Sequence, residues 1–133
     1  MTVEELIAGS GSTYLFHYTD GLRARMIIDL RVFATGPSAV HGVGVYATDI
    51  PPEDADTIDE VIIRCFGGDA TPAEVDHAVA VRVSAAAGAF EQTSDPDEWL
   101  LPTGKLEVVA LDGFYVATAR FVNGDWEIID DEE

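Results

Sequence analysis

The chain has 133 residues, which is the length of one compact domain with a single core. Its 25 acidic and 7 basic residues give a formal charge of −18, which repels phosphate backbones and disfavours DNA or RNA as a substrate. A hydrophobic fraction of 47% excludes wholesale disorder, and the single cysteine, Cys65, excludes an internal disulfide and a cysteine-based zinc site.

The sequence carries neither a membrane span nor an export signal that we recognise. No apolar run approaches the roughly 20 residues that are needed to cross a bilayer. The acidic start at residues 1–5 lacks the basic region of a signal peptide. We therefore expect a soluble protein without membrane contact, located in the cytoplasm of its own cell or delivered by a longer chain into the cytoplasm of a target cell.

The first elements are a strand and a helix. After a flexible segment at residues 1–12, the aromatic run 14–18 predicts a short strand. Thr19 and Asp20 then predict the start of a helix that ends near residue 30. The apolar residues of that helix recur at helical spacing, at Leu22, Met26, Ile27 and Leu30.

A second strand and helix follow in the middle of the chain. A glycine-punctuated strand is predicted at residues 41–49. The acidic stretch 53–59 suits the positive end of a helix dipole and opens a helix that runs to about residue 66. Residues 72–77 add a short helical turn.

The remainder of the chain is predicted to be rich in strands. Residues 77–83 alternate, with the valines at 79, 81 and 83 on one face. Further strands are predicted at residues 98–101, 105–111, 114–122 and 126–129. Asp112-Gly113 and Asn123-Gly124 are strong signals for two-residue hairpins, and residues 130–133 form an acidic tail. The whole is a single α+β domain over residues 1–133, with two or three short helices mostly in the N-terminal half.

Two segments carry residue types suited to binding. Residues 16–19 (FHYT) place His17 at the end of a strand, where its imidazole is available to a hydroxyl group. Residues 42–46 (GVGVY) hold two glycines one residue apart, which often marks a backbone that approaches a ligand closely, and Tyr46 offers a flat face for a ring. Taken singly, either residue is more often part of a core than of a binding site.

Together the two segments are similar to a known family. The motif HYT at residues 17–19, a helix-sized interval and GxGxYxTDxPP at 42–52 resemble the HYD1-signature group of ADP-ribosyltransferases, which occurs mainly among bacterial polymorphic toxins and effectors. More distantly, the layout resembles the His-Tyr-Glu branch shared by diphtheria-type toxins and poly-ADP-ribose polymerases. The resemblance covers about residues 14–109. It implies a split β-sheet core that takes NAD as a substrate, cleaves its nicotinamide–ribose bond and transfers ADP-ribose to an acceptor.

The resemblance also implies a role for each matching residue. His17 would bond the adenosine ribose 2′-OH, the main chain of Tyr18 would meet the nicotinamide carboxamide, and Tyr46 would stack on the nicotinamide ring. Arg23 or Arg25, early in the helix, would reach the diphosphate. The implied NAD-binding set is His17, Tyr18, Thr19, Arg23, Gly44 and Tyr46.

The third catalytic residue, beside His17 and Tyr46, is an acid with two candidates. In the His-Tyr-Glu branch a glutamate near the start of a late strand bonds the nicotinamide-ribose 2′-OH and stabilises positive charge in the transition state. Glu98 opens a segment, DEWLLPxG, that resembles this strand. Asp49, beside the second strand, is the rival.

Two departures from the family pattern leave three functions open. No aromatic residue follows Tyr46 before Phe66, so one side of the nicotinamide would be covered by an aliphatic such as Ile58 or by nothing. Pro96 stands where related branches often carry an acid or amide that selects the acceptor. The alternatives are a mono-ADP-ribosyltransferase, an NAD glycohydrolase, and a catalytically silent module whose acidic surface binds a basic partner.

The remaining polar and aromatic residues have simpler interpretations. His41 and His77 are expected at the surface or in strands, Cys65 is expected to be a buried structural thiol, and no spacing suggests a metal site. The set Trp99, Phe114 and Trp126 is expected in the core. The acceptor is expected to be a protein or small molecule, although a strip of Arg23, Arg25 and Arg31 would suit phosphates, and a cognate immunity or partner protein is a further expected contact.

Overall fold

The computed structural model describes residues 1–35, 44–83, 90–103, 108–111 and 113–132. The α-helices of these residues are α1 (Val3–Gly9), α2 (Gly21–Leu30) and α3 (Thr57–Phe66), and a 3₁₀ turn covers Pro72–Glu74. The strands are β1 (Tyr14–Thr19), β2 (Val32–Ala34), β3 (Gly44–Ala47), β4 (His77–Arg82), β5 (Glu91–Gln92), β6 (Trp99–Pro102), β7 (Val108–Ala110), β8 (Tyr115–Val122) and β9 (Asp125–Asp131). The fold is therefore mixed, with helices early and strands late, as the α+β prediction expected. Within the described part of the chain, no helix has the length and apolar content to cross a membrane.

The strands form three antiparallel sheets. The largest has the order β1-β4-β8-β9, a second has the order β3-β6-β5, and a third pairs β2 with β7. An isolated bridge between Phe16 and Thr48 connects the first sheet to the second. β1 pairs with β4 along one edge, and along its other edge it bridges to Thr48, just after β3. It is therefore the edge strand of the largest sheet that faces the second sheet.

Alternate residues of β1 and β4 belong to two apolar clusters, which lie on opposite faces of the largest sheet. Phe16 and Ala80 pack on one face with Leu6 of α1 and Val61 of α3. Leu15, Val79 and Val81 pack on the other face with Ile27 of α2 and Phe33 of β2. This alternation is the period-two pattern that was predicted for residues 77–83.

Local signals place several element ends where they were predicted. The Asp20 side chain caps α2 by accepting from the Arg23 N–H, and α2 ends at Arg31 in the left-handed region. Gly67 ends α3 in the same conformation. Asn123 and Gly124, with φ of 52° and 84°, form the turn between β8 and β9, which confirms that hairpin.

The predicted hairpin at Asp112-Gly113 is wrong. The strand that precedes it, β7, pairs with β2, whereas the strand that follows it, β8, pairs with β4 and β9. The Leu111 N–H donates to the carbonyl of Arg31 at 2.9 Å, which holds the chain against the end of α2 instead of returning it along β7. Asp112 itself lies outside the described residues.

The described residues near both ends of the chain form regular elements. Residues 3–9 form α1, whose Leu6 is fully buried in the first cluster. Strand β9 continues to Asp131, and Asp130 accepts hydrogen bonds from Arg31 at 2.8 Å and from the Tyr115 hydroxyl at 2.7 Å. The acidic end is held because its carboxylates meet arginine and tyrosine donors of neighbouring elements.

We predict that Leu6→Ala lowers the free energy of unfolding by about 2–5 kcal/mol, because it leaves a cavity in the cluster between α1, α3 and the sheet. The measurement is urea denaturation followed by circular dichroism. The matched control is Leu22→Ala in α2, where the leucine is 75% exposed and the change should stay within about 0.5 kcal/mol. Equal stability of the two variants would show that α1 does not dock on the sheet.

Candidate functional site

The strands that carry the predicted site residues are neighbours. Phe16 of β1 and Thr48 exchange two main-chain hydrogen bonds, with N···O distances of 2.7 and 2.9 Å. On the far side of β3, Tyr46 pairs with Leu100 and Ala47 pairs with Trp99 of β6. The spatial order is thus β1, β3 and β6, which places His17, Tyr46 and the residue just before β6, Glu98, on adjacent parts of the fold.

The His17 ring is bonded to the main chain of Tyr46. Its Nδ1 lies 2.7 Å from the Tyr46 carbonyl oxygen. A carbonyl only accepts, so Nδ1 carries the proton and donates, and in the neutral ring Nε2 is left as an acceptor. The other ring contact is with Phe33 of β2, whose centroid lies 4.7 Å away. His17 is therefore held in one tautomer and one orientation.

The surroundings of His17 favour its neutral form. Burial lowers the pKa of His17 below its ordinary value of 6.5, the hydrogen bond to the Tyr46 carbonyl acts in the opposite direction, and the nearby positive charge of Arg23 lowers the pKa further. At neutral pH the ring thus presents Nε2 as an uncharged hydrogen-bond acceptor, which suits a hydroxyl donor.

The main chain of Tyr18 points toward β3. Phe16 directs its N–H and C=O to Thr48, and peptide groups two residues along a strand point to the same side. The Tyr18 N–H and C=O therefore face β3. If the ladder of main-chain hydrogen bonds continued past the bridge, these groups would pair with Tyr46. The Tyr46 carbonyl instead accepts a hydrogen bond from the His17 ring. We call the space beyond the Phe16–Thr48 bridge, between the Tyr18 main chain and Tyr46, the β1–β3 gap.

The phenol of Tyr18 takes no part in this gap. Its hydroxyl donates to the Ile50 carbonyl at 2.7 Å, and its ring packs edge-on against Trp126. Burial raises the pKa of this hydroxyl, which keeps it a donor. This leaves only the main chain of Tyr18 for the contact that the resemblance implies.

The Tyr46 side chain lies on the opposite face of β3 from Val45 and Ala47. Those two residues pack in the cluster that contains Phe33, which is also the ring next to His17. Tyr46, being half-buried, projects to the other face. The His17 and Tyr46 rings therefore lie on opposite faces of the β1–β3 pair.

Of the two candidate acids, Glu98 directly precedes β6. Ala47 pairs with Trp99, so the next pair along the register brings Glu98 opposite Thr48, at the Phe16–Thr48 bridge. Glu98 is half-buried, and its Oε1 atom is shielded from solvent. Asp49 instead follows the Phe16–Thr48 bridge on the side away from the gap, beside Gly11.

A depression of about 440 Å³ lies around Asp49, outside the gap. Its lining is mostly acidic and consists of Asp49, Ile50, Pro51, Glu53, Asp54, Asp56, Thr57, Glu60 and Arg64. Throughout the described ranges, no three His, Cys, Asp or Glu side chains are grouped so as to hold a metal ion. The depression repels anions, so it does not suit the diphosphate of a dinucleotide.

Three further residues of the predicted site have close protein neighbours. A Cβ built on Gly44 would lie 2.2 Å from the Leu101 carbonyl oxygen, so the close approach of β6 alone requires a glycine there. Thr19 is buried and pairs with His77 of β4. Ile58 is buried in the first cluster, so it is not available to cover a nicotinamide ring.

The arginines are all engaged by carboxylates. Each of the six in the sequence has at least one such partner, and the pairs are Arg23–Asp20, Arg25–Asp29, Arg31–Asp130, Arg64 with Glu60 and Asp97, Arg82–Glu132 and Arg120–Glu127. Arg23 remains 71% exposed at the start of α2. Each arginine of the predicted strip, Arg23, Arg25 and Arg31, thus forms an ion pair with a carboxylate.

Three other residues singled out in the sequence lie apart from the gap or outside the described residues. His77 bonds Asp76 through Nδ1 at 2.7 Å. Cys65 is half-buried, and burial raises the pKa of its thiol to about 11, so it is an unreactive thiol at neutral pH. His41 falls within 36–43, outside the described residues.

Sequence reasoning missed Phe33, which orients the His17 ring. Phe33 is 1% exposed and lies in β2, a strand of only three residues directly after α2. A strand of three residues shows no alternation of apolar and polar residues in the sequence, and its pairing partner β7 lies far along the chain. The contact between Phe33 and His17 is therefore visible only in the tertiary structure.

We predict that the burial of His17 makes folding stability depend on pH. Because the folded-state pKa is below the unfolded value of 6.5, the unfolded chain binds a proton first as the pH falls. The contribution of neutral His17 is thus present above pH 6.5 and is lost as the pH drops through the folded-state pKa. Urea denaturation at pH 7.5 and 5.5 should show a larger loss for the wild type than for His17→Asn, whose amide has no such titration. Equal losses would contradict a lowered pKa.

The sequence and structure were compared with known proteins. No protein-family model, no curated protein and no solved structure matches this chain. Support for a function comes from the residues and geometry of the β1–β3 gap.

Proposed function

We propose that this chain binds NAD across the β1–β3 gap and acts as a mono-ADP-ribosyltransferase with a split-sheet core of the ADP-ribosyltransferase type. The observation that carries the proposal is the 2.7 Å hydrogen bond from the His17 ring to the Tyr46 carbonyl. It joins the two motif segments that resemble the family, and it fixes His17 as a neutral ring with an accepting Nε2.

The groups around the gap match the parts of NAD. The accepting Nε2 of His17 suits the adenosine ribose 2′-OH, which donates. The Tyr18 N–H and C=O, both turned toward β3, suit a carboxamide, which both accepts and donates. The half-buried Tyr46 ring offers a stacking face for nicotinamide. Arg23 is 71% exposed and its charge reaches His17, and it would meet the diphosphate in exchange for its exposed ion pair with Asp20.

Glu98 supplies the negative charge that the reaction needs. The bond that breaks joins C1′ of the ribose to the nicotinamide nitrogen, whose electron pair leaves with nicotinamide, and the acceptor nucleophile forms the new bond to C1′ and loses its proton. A carboxylate that is shielded from solvent on one oxygen, as Glu98 is, stabilises the positive charge on the ribose more strongly than an exposed one. The shielded Oε1 atom favours Glu98 over Asp49, whose side chain lines the open acidic depression.

The first test measures NAD binding by calorimetry and nicotinamide release from labelled NAD with a cell lysate. We expect the wild type to do both. His17→Asn keeps a nitrogen donor near the Nδ1 position for the Tyr46 carbonyl but removes the Nε2 acceptor. It should therefore fold normally and lose most NAD affinity. Absence of both binding and release in the wild type would overturn the proposal.

The second test separates the two acids. Glu98→Gln should lower the rate of nicotinamide release by about 10²–10³-fold with little change in NAD affinity, because it removes transition-state charge stabilisation. Asp49→Asn is the matched rival, and Glu91→Gln on exposed β5 is a neutral control. A large loss in Asp49→Asn with none in Glu98→Gln would transfer the role to Asp49.

A catalytically silent NAD-binding module is the second candidate. It is favoured by the burial of Ile58 in the core, because this aliphatic side chain is then not available to cover a nicotinamide ring. NAD binding without nicotinamide release would select this function. Release without a labelled macromolecule would select the glycohydrolase, in which water is the acceptor.

A further inference from the structure

The residues just before β6 form a turn that is closed by its own polar groups. The Glu98 N–H donates to the carbonyl of Asp95 at 3.1 Å, and the Glu98 carbonyl accepts from the Thr93 N–H at 3.0 Å. The Asp95 carboxylate accepts from the Asp97 N–H at 3.1 Å, and the Thr93 hydroxyl accepts from the Asp95 N–H at the same distance. Both main-chain groups of Glu98 are therefore engaged in what we call the 93–98 turn.

Helix α3 holds the 93–98 turn from outside through one arginine. The Arg64 Nε donates to Asp97 Oδ2 at 3.1 Å, and the Arg64 Nη2 donates to Asp97 Oδ1. Two N–H groups of one guanidinium thus meet both oxygens of one carboxylate, which is a strong and directional contact. Asp97 directly precedes Glu98. The residue before the proposed acid is therefore tied to a helix whose other face is buried through Val61 and Ile62.

Arg64 also offsets a concentration of negative charge in the turn. Three of the four residues 95–98 are acidic, and like charges so close together repel one another. Arg64 brings a positive charge against Asp97, whose side chain is 20% exposed, and pairs on its own helix with Glu60. The guanidinium thereby lowers the repulsion between Asp97 and the adjacent Glu98.

A second contact attaches α3 to the strand opposite Glu98. Cys65, the next residue of the helix, is hydrogen-bonded to the side chain of Thr48. Continued by one pair past Trp99, the β3–β6 register brings Thr48 opposite Glu98. The helix is therefore tied both to the residue before Glu98 in the chain and to the residue across from it.

We propose that Arg64 is a positioning residue that holds Glu98 at the start of β6 through its two hydrogen bonds to Asp97. The inference rests on the proposed function for the role of Glu98, and in it Arg64 acts through Glu98 and not on NAD. Arg64 is 43% exposed, and ion pairs this exposed add little to overall stability. The planar guanidinium instead specifies the orientation of the carboxylate that it binds. An acid that is fixed before the substrate binds needs no reordering when positive charge develops on the ribose.

The first measurement does not depend on enzymatic activity. Amide hydrogen exchange, followed by NMR, should show a protected Glu98 N–H in the wild type and exchange at least about fivefold faster in Arg64→Met and in Asp97→Asn. The matched control is Arg120→Met, which breaks another exposed pair, with Glu127, and should leave the Glu98 amide unchanged. Urea denaturation should give similar stability for all of these variants.

The second measurement is the steady-state rate of nicotinamide release from NAD. Arg64→Met should lower kcat about tenfold and change the KM for NAD by less than about twofold, because a misplaced acid acts on the transition state. Arg64→Lys keeps the charge without the paired donors and should recover only part of kcat. Glu60→Gln removes the other partner of Arg64 and should leave kcat unchanged. In the Glu98→Gln background, Arg64→Met should cause no further loss.

Three results would overturn the proposal. An unprotected Glu98 amide in the wild type, or equal exchange in the wild type and Arg64→Met, would show that Arg64 does not fix the turn. A loss of kcat on Arg64→Met that persists in the Glu98→Gln background would show that Arg64 acts by another route. If the wild type releases no nicotinamide, the proposed function fails, and the amide exchange still decides whether Arg64 holds Glu98.

Discussion

The two main-chain hydrogen bonds between Phe16 and Thr48 hold together the two sheets on which the site depends. On one side of this bridge, β1 continues along β4 in a regular ladder. On the other side, β3 turns to β6, and the ladder toward β1 is replaced by the contact between the His17 ring and the Tyr46 carbonyl. A bridge of a single residue pair therefore both joins the sheets and leaves main-chain groups of Tyr18 turned into the space between them.

The excess of carboxylates shapes the rest of the surface. The arginines are each held by acids, some on their own helix and some, such as Arg31 and Arg82, on the end of β9 or just after it. Such exposed pairs add little stability individually. They do remove free cations from the surface, so an anionic macromolecule meets no local basic patch on the described residues.

Features encoded within a few residues were predictable from the sequence. The capping aspartate of α2, the glycine after α3 and the Asn123-Gly124 turn act through local geometry, and the structure has all three. Features that depend on partners far along the chain were not predictable. The pairing of β7 with β2, the contact of Phe33 with His17 and the packing of Gly44 against Leu101 each need the fold first. For the site, the proximity of His17 and Tyr46 followed from the motif. The faces of the sheet on which their two side chains lie could be seen only in the structure.

The placement of the His17 and Tyr46 side chains on opposite faces restricts which ligands can contact both residues. The His17 ring lies beside Phe33, on the face of the sheet that carries Val45 and Ala47, and the Tyr46 ring projects from the opposite face. A small rigid ligand would reach one ring only. A dinucleotide has two ring systems that are joined by a flexible diphosphate, so it is able to meet an acceptor nitrogen on one face and an aromatic surface on the other. Continued by one pair past Trp99, the β3–β6 register brings Glu98 opposite Thr48, at the bridge itself and one residue from the position of Asp49. The shielded Oε1 atom of Glu98, and not its distance from the gap, is therefore what distinguishes the two acids.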